Sequence, residues 1–229
     1  MFRKIRYCVP VLLLGLCLPC LAGNVESGIT QISVNVYNDS NVPPSALHRA
    51  EQIASRIFHT AGLQIEWRNC EDDSQKAGTN DCGSPRFNVL SIRLVAHSLT
   101  QADSLFGASF LDQDGKGLYG DVFYENVRHL SDAAHVSVGD VLGHVIAHEL
   151  GHLLLGKNAH SPTGIMRPHW SKQELVQLAM GRLLFSAEQG QLMTKRLGQG
   201  TTPSQSNDPN LAAMSRLALG LHPKLPEQE

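Results

Sequence analysis

The stretch Val138 to Leu155 constrains this chain more than any other, because it places three histidines and a glutamate inside a run patterned as a helix. Val141, Leu142, Val145, Ile146, Leu150, Leu153 and Leu154 leave that helix apolar on most sides, so it belongs in a core. Ser137, with Asp140 three residues on, reads as its N-terminal cap, and Gly156 as its C-terminal stop. Unpaired histidine and glutamate side chains inside such a helix are costly, and a metal ion satisfies them. The alternative, ordinary surface residues on a helix, conflicts with the apolar surroundings. His148 and His152 are four apart, so their rings project from one face a turn apart. Two imidazoles so placed reach a single zinc ion at about 2.0–2.1 Å. Glu149, beside the first of them, is placed to act as general base toward a zinc-activated water.

Such a site needs a third ligand. His160 leads, on a loop that returns after Gly156, ahead of Glu174 on the following helix and His169. His144 lies a turn before His148, but the outer two of three histidines on one straight helix are about 11 Å apart and cannot surround one ion. His144 is therefore read as a buried neutral neighbour.

The segment from His148 to Pro168 reads HELGHLLLGKNAHSPTGIMRP. It resembles the active site of metzincin zinc metalloproteases, whose pattern is H-E-x-x-H-x-x-G-x-x-H followed by a methionine turn. By that resemblance His148, His152 and His160 are the ligands of one catalytic Zn2+, Glu149 the base and Met166 the turn methionine. Met-Arg-Pro at 166–168 and His160-Ser161 are similar to the matrix-metalloprotease branch. The spacing departs from the pattern, since Gly156 comes four residues after His152 and His160 eight after. Some metzincins carry a tyrosine just after the turn methionine; Arg167 and Pro168 stand there, leaving Tyr119, Tyr124 or His144 as candidate donors. The resemblance implies a twisted mixed sheet, two main helices and a cleft beside an edge strand.

The ends of the chain read differently. Arg3, Lys4 and Arg6 precede an apolar run from Val9 to Leu18 and small residues at Ala22 and Gly23, the pattern of a secretory signal over residues 1–22. The run is short for a spanning helix, so the expected location is secreted or periplasmic, with no stable membrane insertion after cleavage. Losing the signal takes the formal charge from −2 to −5, which gives no electrostatic case for nucleic acid. Cys70 and Cys82 remain, and an even pair in an exported chain is read as a disulfide. Cys82-Gly83-Ser84-Pro85 also resembles the cysteine switch of some matrix metalloproteases, but it falls between strands of the domain rather than before it. From residue 198 to 229 polar residues and Gly and Pro dominate, read as a mostly disordered tail with a helix near Leu211 to Leu219.

Between these ends, strands are expected at Ile29–Val36 and Val89–Val95, where apolar and polar residues alternate, and at Leu63–Trp67 and Leu118–Tyr124. A helix capped by Ser45 carries Ala46, Ala50, Ile53, Ile57 and Ala61 at helical spacing and stops at Gly62. Further helices are expected from Lys172 to Leu184, capped by Ser171, and from Ser186 onward. Asp112-Gln113-Asp114-Gly115 has a faint likeness to a calcium loop but lacks its closing acid, and is read as a hairpin turn. The order predicts one α+β domain over residues 23–197, a metzincin-like zincin with additional C-terminal helices. The expected activity is that of a monomeric zinc metalloendopeptidase acting on peptide or protein, with Leu118–Tyr124 or Gly107–Leu111 as the edge for an extended substrate. The alternatives are a zinc-binding protein without turnover and a zinc hydrolase of non-peptide substrates.

Overall fold

The computed structural model describes residues 29–70, 82, 89–98 and 105–199. The expected signal over residues 1–22, residues 71–81, the Gly83-Ser84-Pro85 segment, and the expected tail from residue 200 on with the helix expected near Leu211 to Leu219 lie outside the described residues. The fold is α+β, a five-stranded mixed sheet with helices.

Strand β1 (Thr30–Asn38) leads into helix α1 (Pro44–Thr60), which returns to β2 (Leu63–Cys70) parallel to β1. β3 (Val89–Val95) pairs on the other side of β1, and β5 (Tyr119–Phe123) on β3, both parallel. β4 (Gly107–Phe110) pairs antiparallel to β5 and closes the order β2-β1-β3-β5-β4, which puts β4 at the edge. Leu118–Tyr124 is thus an interior strand, and of the two expected edges only 107–111 is one. The turn between β4 and β5 closes through Asp112, whose Oδ1 accepts from the Lys116 amide at 2.8 Å. That is the expected hairpin turn.

Alternation sorts the sheet into two faces. Ile32, Val34, Val36, Leu90, Ile92, Leu94 and Val122 are all buried on one face, while Ser33, Tyr37, Arg93 and Asp121 fall on the other. Helices α1 and α3 (Val138–Leu155) cover the apolar face and pack on each other. They approach closely at Gly143, where a Cβ would stand 2.6 Å from the Ala50 carbonyl oxygen. α3 has the bounds its sequence predicts, and Leu142, Ile146 and Leu150 within it are fully buried. Each such side chain contributes about 1.5–3 kcal/mol by leaving water.

Some local readings change. α1 starts at Pro44, so Ser45 lies inside the helix rather than capping it; the proline's fixed φ suits the first turn. Ser137 stands at the N-cap of α3 without a side-chain capping bond. A helix absent from the sequence reading, α2 (Tyr124–Ala134), follows β5 directly and ends at His135 in the left-handed conformation, φ 53°. α4 (Lys172–Ala179) stops well short of Leu184, because the chain turns at Gly181 with φ 65°. Its start is the expected one, with Ser171 and Glu174 forming a reciprocal capping box. α5 (Ala187–Gln199) closes the described chain.

Candidate metal centre

Helix α3 presents His148 and His152 from one face, and the loop after it brings His160 against them. The nitrogen atoms available from these three side chains all lie within 4.8 Å of one another. Ring centroids are 4.8 Å apart for His148–His152, 4.6 Å for His152–His160 and 5.7 Å for His148–His160. The Nε2 atoms of His148 and His152 face each other at 3.1 Å. Two nitrogens bound to one zinc at a tetrahedral angle lie about 3.4 Å apart, so the pair is spaced as co-ligands are.

The donor set is in the right chemical form. The Ile165 carbonyl can only accept, so the 2.8 Å contact with His148 Nδ1 fixes the proton there and leaves Nε2 with its lone pair. Burial pushes the His148 imidazole down to about 4, opposed by its bond to Ile165 and aided by the charge of His160. Burial, with the charges of His148 and His160, takes His152 to about 4 as well. His160 is lowered too, by burial and then by His169. All three shifts favour neutral imidazole, the form that binds a metal. The residues therefore fit a metal ion of the zinc type.

The loop absorbs the lengthened spacing through backbone that turns the wrong way for a helix. Gly156 has φ 75° and Asn158 φ 59°, so φ is positive at two positions within three residues. A Cβ on Gly156 would meet the Gly115 carbonyl at 2.6 Å, which adds a packing reason for the glycine. Beyond it Ala159 packs on the core, and the Ser161 amide donates to the Met166 carbonyl at 3.0 Å. Residues on both sides of His160 are thus held while its ring stays at the surface.

Met166 is fully buried in a tight turn, closed by the Arg167 amide on the Gly164 carbonyl at 3.2 Å with Gly164 at φ 77°. It packs on α3 at Gly151, immediately before His152. The same turn supplies the Ile165 carbonyl, which also accepts from Trp170 Nε1 at 3.2 Å. Trp170 stands edge-on to both His148 and His144.

Glu149 is 5% exposed and turns toward the edge strand. Ser109 Oγ donates to its Oε2 at 2.7 Å, and Gly107 lies so close that a Cβ there would be 2.6 Å from Oε1. Burial pushes this carboxyl up to about 7; the Ser109 bond pulls it down and the charge of Asp121 adds to the rise. A carboxyl poised near neutrality is what a general base requires, and a cation nearby shifts it toward the ionised form.

The other candidates fall away from this cluster. Glu174 is committed elsewhere, accepting from the Ser171 amide at 2.8 Å and from Arg167 Nη1 at 2.7 Å. His169 is exposed and outside the triad. His144 is fully buried, its Nδ1 on the Asp140 carbonyl at 2.7 Å and its Nε2 without a hydrogen-bond partner among the described residues. Tyr119 donates to Asp121 on the sheet face opposite α3, and Tyr124 is buried at the start of α2. Cys82 is bonded to Cys70, so its sulfur is not a free thiol for a cysteine switch. Sequence reasoning placed Ser109 and Gly107 in a candidate edge, Gly107–Leu111, but missed their contact with Glu149; they lie about forty residues from it, and no local motif marks the contact.

No protein-family model matches the chain, and no curated protein matches it. Among solved structures it is similar to archaemetzincin from Methanopyrus kandleri, with 15% identity, coverage of 77% of this chain and 99% of that one, and a TM-score of 0.44.

Proposed function

We propose that this chain is a zinc-dependent metallopeptidase of metzincin type that is exported and cleaves peptide bonds within polypeptides. The observation that carries the reading is the convergence of three imidazoles, two from α3 and one from the loop after it, with the buried Glu149 next in sequence to His148. His148, His152 and His160 would hold the ion. Zinc bound there supplies Lewis acidity for the scissile carbonyl and makes a water proton easier to remove.

Glu149 takes a proton from the attacking water as the water oxygen bonds to the peptide carbonyl carbon. It then delivers that proton to the amine nitrogen as the C–N bond breaks. The Ile165 carbonyl keeps His148 in the tautomer that directs Nε2 inward. Edge strand β4 offers backbone groups to an extended chain, and a strand-like substrate suits an endopeptidase. A buried base supports turnover over a purely structural metal site, where it has no task. Export rests on the basic and apolar N-terminal pattern and agrees with the Cys70–Cys82 bond.

The test is proteolysis of a denatured protein mixture by the zinc-loaded chain, before and after chelation. Cleavage that stops on chelation and returns with zinc supports the reading. A chain that binds zinc but cleaves nothing would leave it a zinc-binding protein or a hydrolase of other substrates.

A further inference from the structure

Edge strand β4 also touches the proposed base. In the antiparallel pair of β4 with β5, Gly107 opposes Val122, Ala108 opposes Asp121, and Ser109 opposes Gly120. The Phe123 amide donates to the Phe106 carbonyl at 2.9 Å, which makes that pair hydrogen-bonded. Bonded and non-bonded pairs alternate along an antiparallel ladder, so Gly107 and Ser109 direct their N–H and C=O groups away from β5, to the open edge. These are the same two residues that grip Glu149. Ser109 Oγ sits 2.7 Å from Glu149 Oε2 and 2.9 Å from the Glu149 backbone oxygen, while Gly107 leaves room for Oε1 only because it lacks a Cβ.

We infer that Ser109 is a positioning residue, whose hydroxyl holds the Glu149 carboxylate at one orientation for proton transfer and links it to the strand that receives the substrate. The inference rests on the metallopeptidase reading. A glutamate side chain has three rotatable torsions, and a charge-assisted hydrogen bond from a hydroxyl fixed on a strand removes most of that freedom. Oε2 is occupied by Ser109, so Oε1 is the oxygen left to exchange protons. The Ser109 side chain is committed to Glu149, and a substrate on this edge would meet only the residue's backbone, so its loss should fall on kcat rather than KM.

The experiment uses zinc-loaded full chains of the wild type, Ser109→Ala, Ser109→Thr and Gly107→Ala, with zinc content and melting temperature measured for each. Ser109→Ala is expected to keep its zinc and its KM and to lose kcat about tenfold or more. Ser109→Thr, which keeps the hydroxyl and suits a strand, is expected to recover most of that loss. Gly107→Ala, which crowds Oε1, is expected to lose kcat with Ser109 intact. Crystal structures of zinc-loaded wild type and Ser109→Ala supply a readout apart from activity, with Glu149 in one conformer in the first and several in the second. Wild-type kcat in Ser109→Ala, a raised KM with unchanged kcat, or a single unmoved Glu149 conformer in that variant would each overturn the inference. If the wild type cleaves no peptide yet Glu149 is ordered only when Ser109 is present, the positioning role stands and the peptidase reading falls.

Discussion

Met166 and Gly151 touch so closely that a Cβ on the glycine would stand 2.6 Å from the methionine sulfur, and 2.8 Å from the Phe185 ring. The turn beneath the histidines is therefore keyed to the helix by the absence of a side chain. Gly151→Ala is expected to destabilise the protein by about 1–3 kcal/mol despite the better helix propensity of alanine. It also pushes on the turn that carries the Ile165 carbonyl. Urea denaturation of the zinc-free protein measures the cost, and an unchanged midpoint would mean that the sulfur has room to retreat.

Glu174 ties the same turn to helix α4. The Ser171 hydroxyl, then Arg167 and the Ser171 amide, hold its carboxyl down to about 2 against an ordinary value of 4.5. Between those values the unfolded chain binds a proton that the folded chain does not, so this contribution to stability is complete above pH 4.5 and fades as pH falls toward 2. Melting temperature followed over that window should drop more steeply in the wild type than in Glu174→Gln. Parallel curves would show that the capping box adds no pH dependence.

Metal binding should raise stability in proportion to the logarithm of free zinc. At a hundred times Kd the gain is about 2.7 kcal/mol. Scanning calorimetry with and without chelator is expected to show the shift in the wild type and none in a chain carrying both His148→Ala and His152→Ala. His160→Ala is expected to bind with reduced affinity, since two ligands from α3 remain. A wild-type response in His160→Ala would remove the loop histidine from the site.

The Cys70–Cys82 bond closes a loop with a sequence separation of 12. Thiol titration of the denatured, unreduced mature chain is expected to find no free thiol. Cys70→Ser should cost about 2–4 kcal/mol. Two titratable thiols would return Cys82 to the pool of possible metal ligands.

How much of this was readable in advance depends on whether the cause is local. α3 carries its own periodicity, its Gly156 stop and its motif, and it forms with the bounds those signals set. β3, with its strict alternation, does too. β4 is the four residues Gly-Ala-Ser-Phe, with one large apolar side chain, and becomes a strand only by pairing with β5. α2 buries little beyond Tyr124, Val127 and Ser131, too few positions to mark an apolar stripe. α4 ends early because Gly181 turns against Arg56, a contact from α1. The site divides in the same way. His148, Glu149, His152, His160 and Met166 sit within one stretch of sequence, whereas Ser109 and Gly107 reach Glu149 only through tertiary packing of the edge strand on α3.

The most direct measurement is the rate of peptide cleavage by zinc-loaded Glu149→Gln beside the wild type, with zinc per chain determined in both preparations. The account predicts one zinc in each and a loss of about 10²–10⁴-fold in the variant, the usual contribution of a general base. Equal cleavage by both proteins at equal zinc would contradict it.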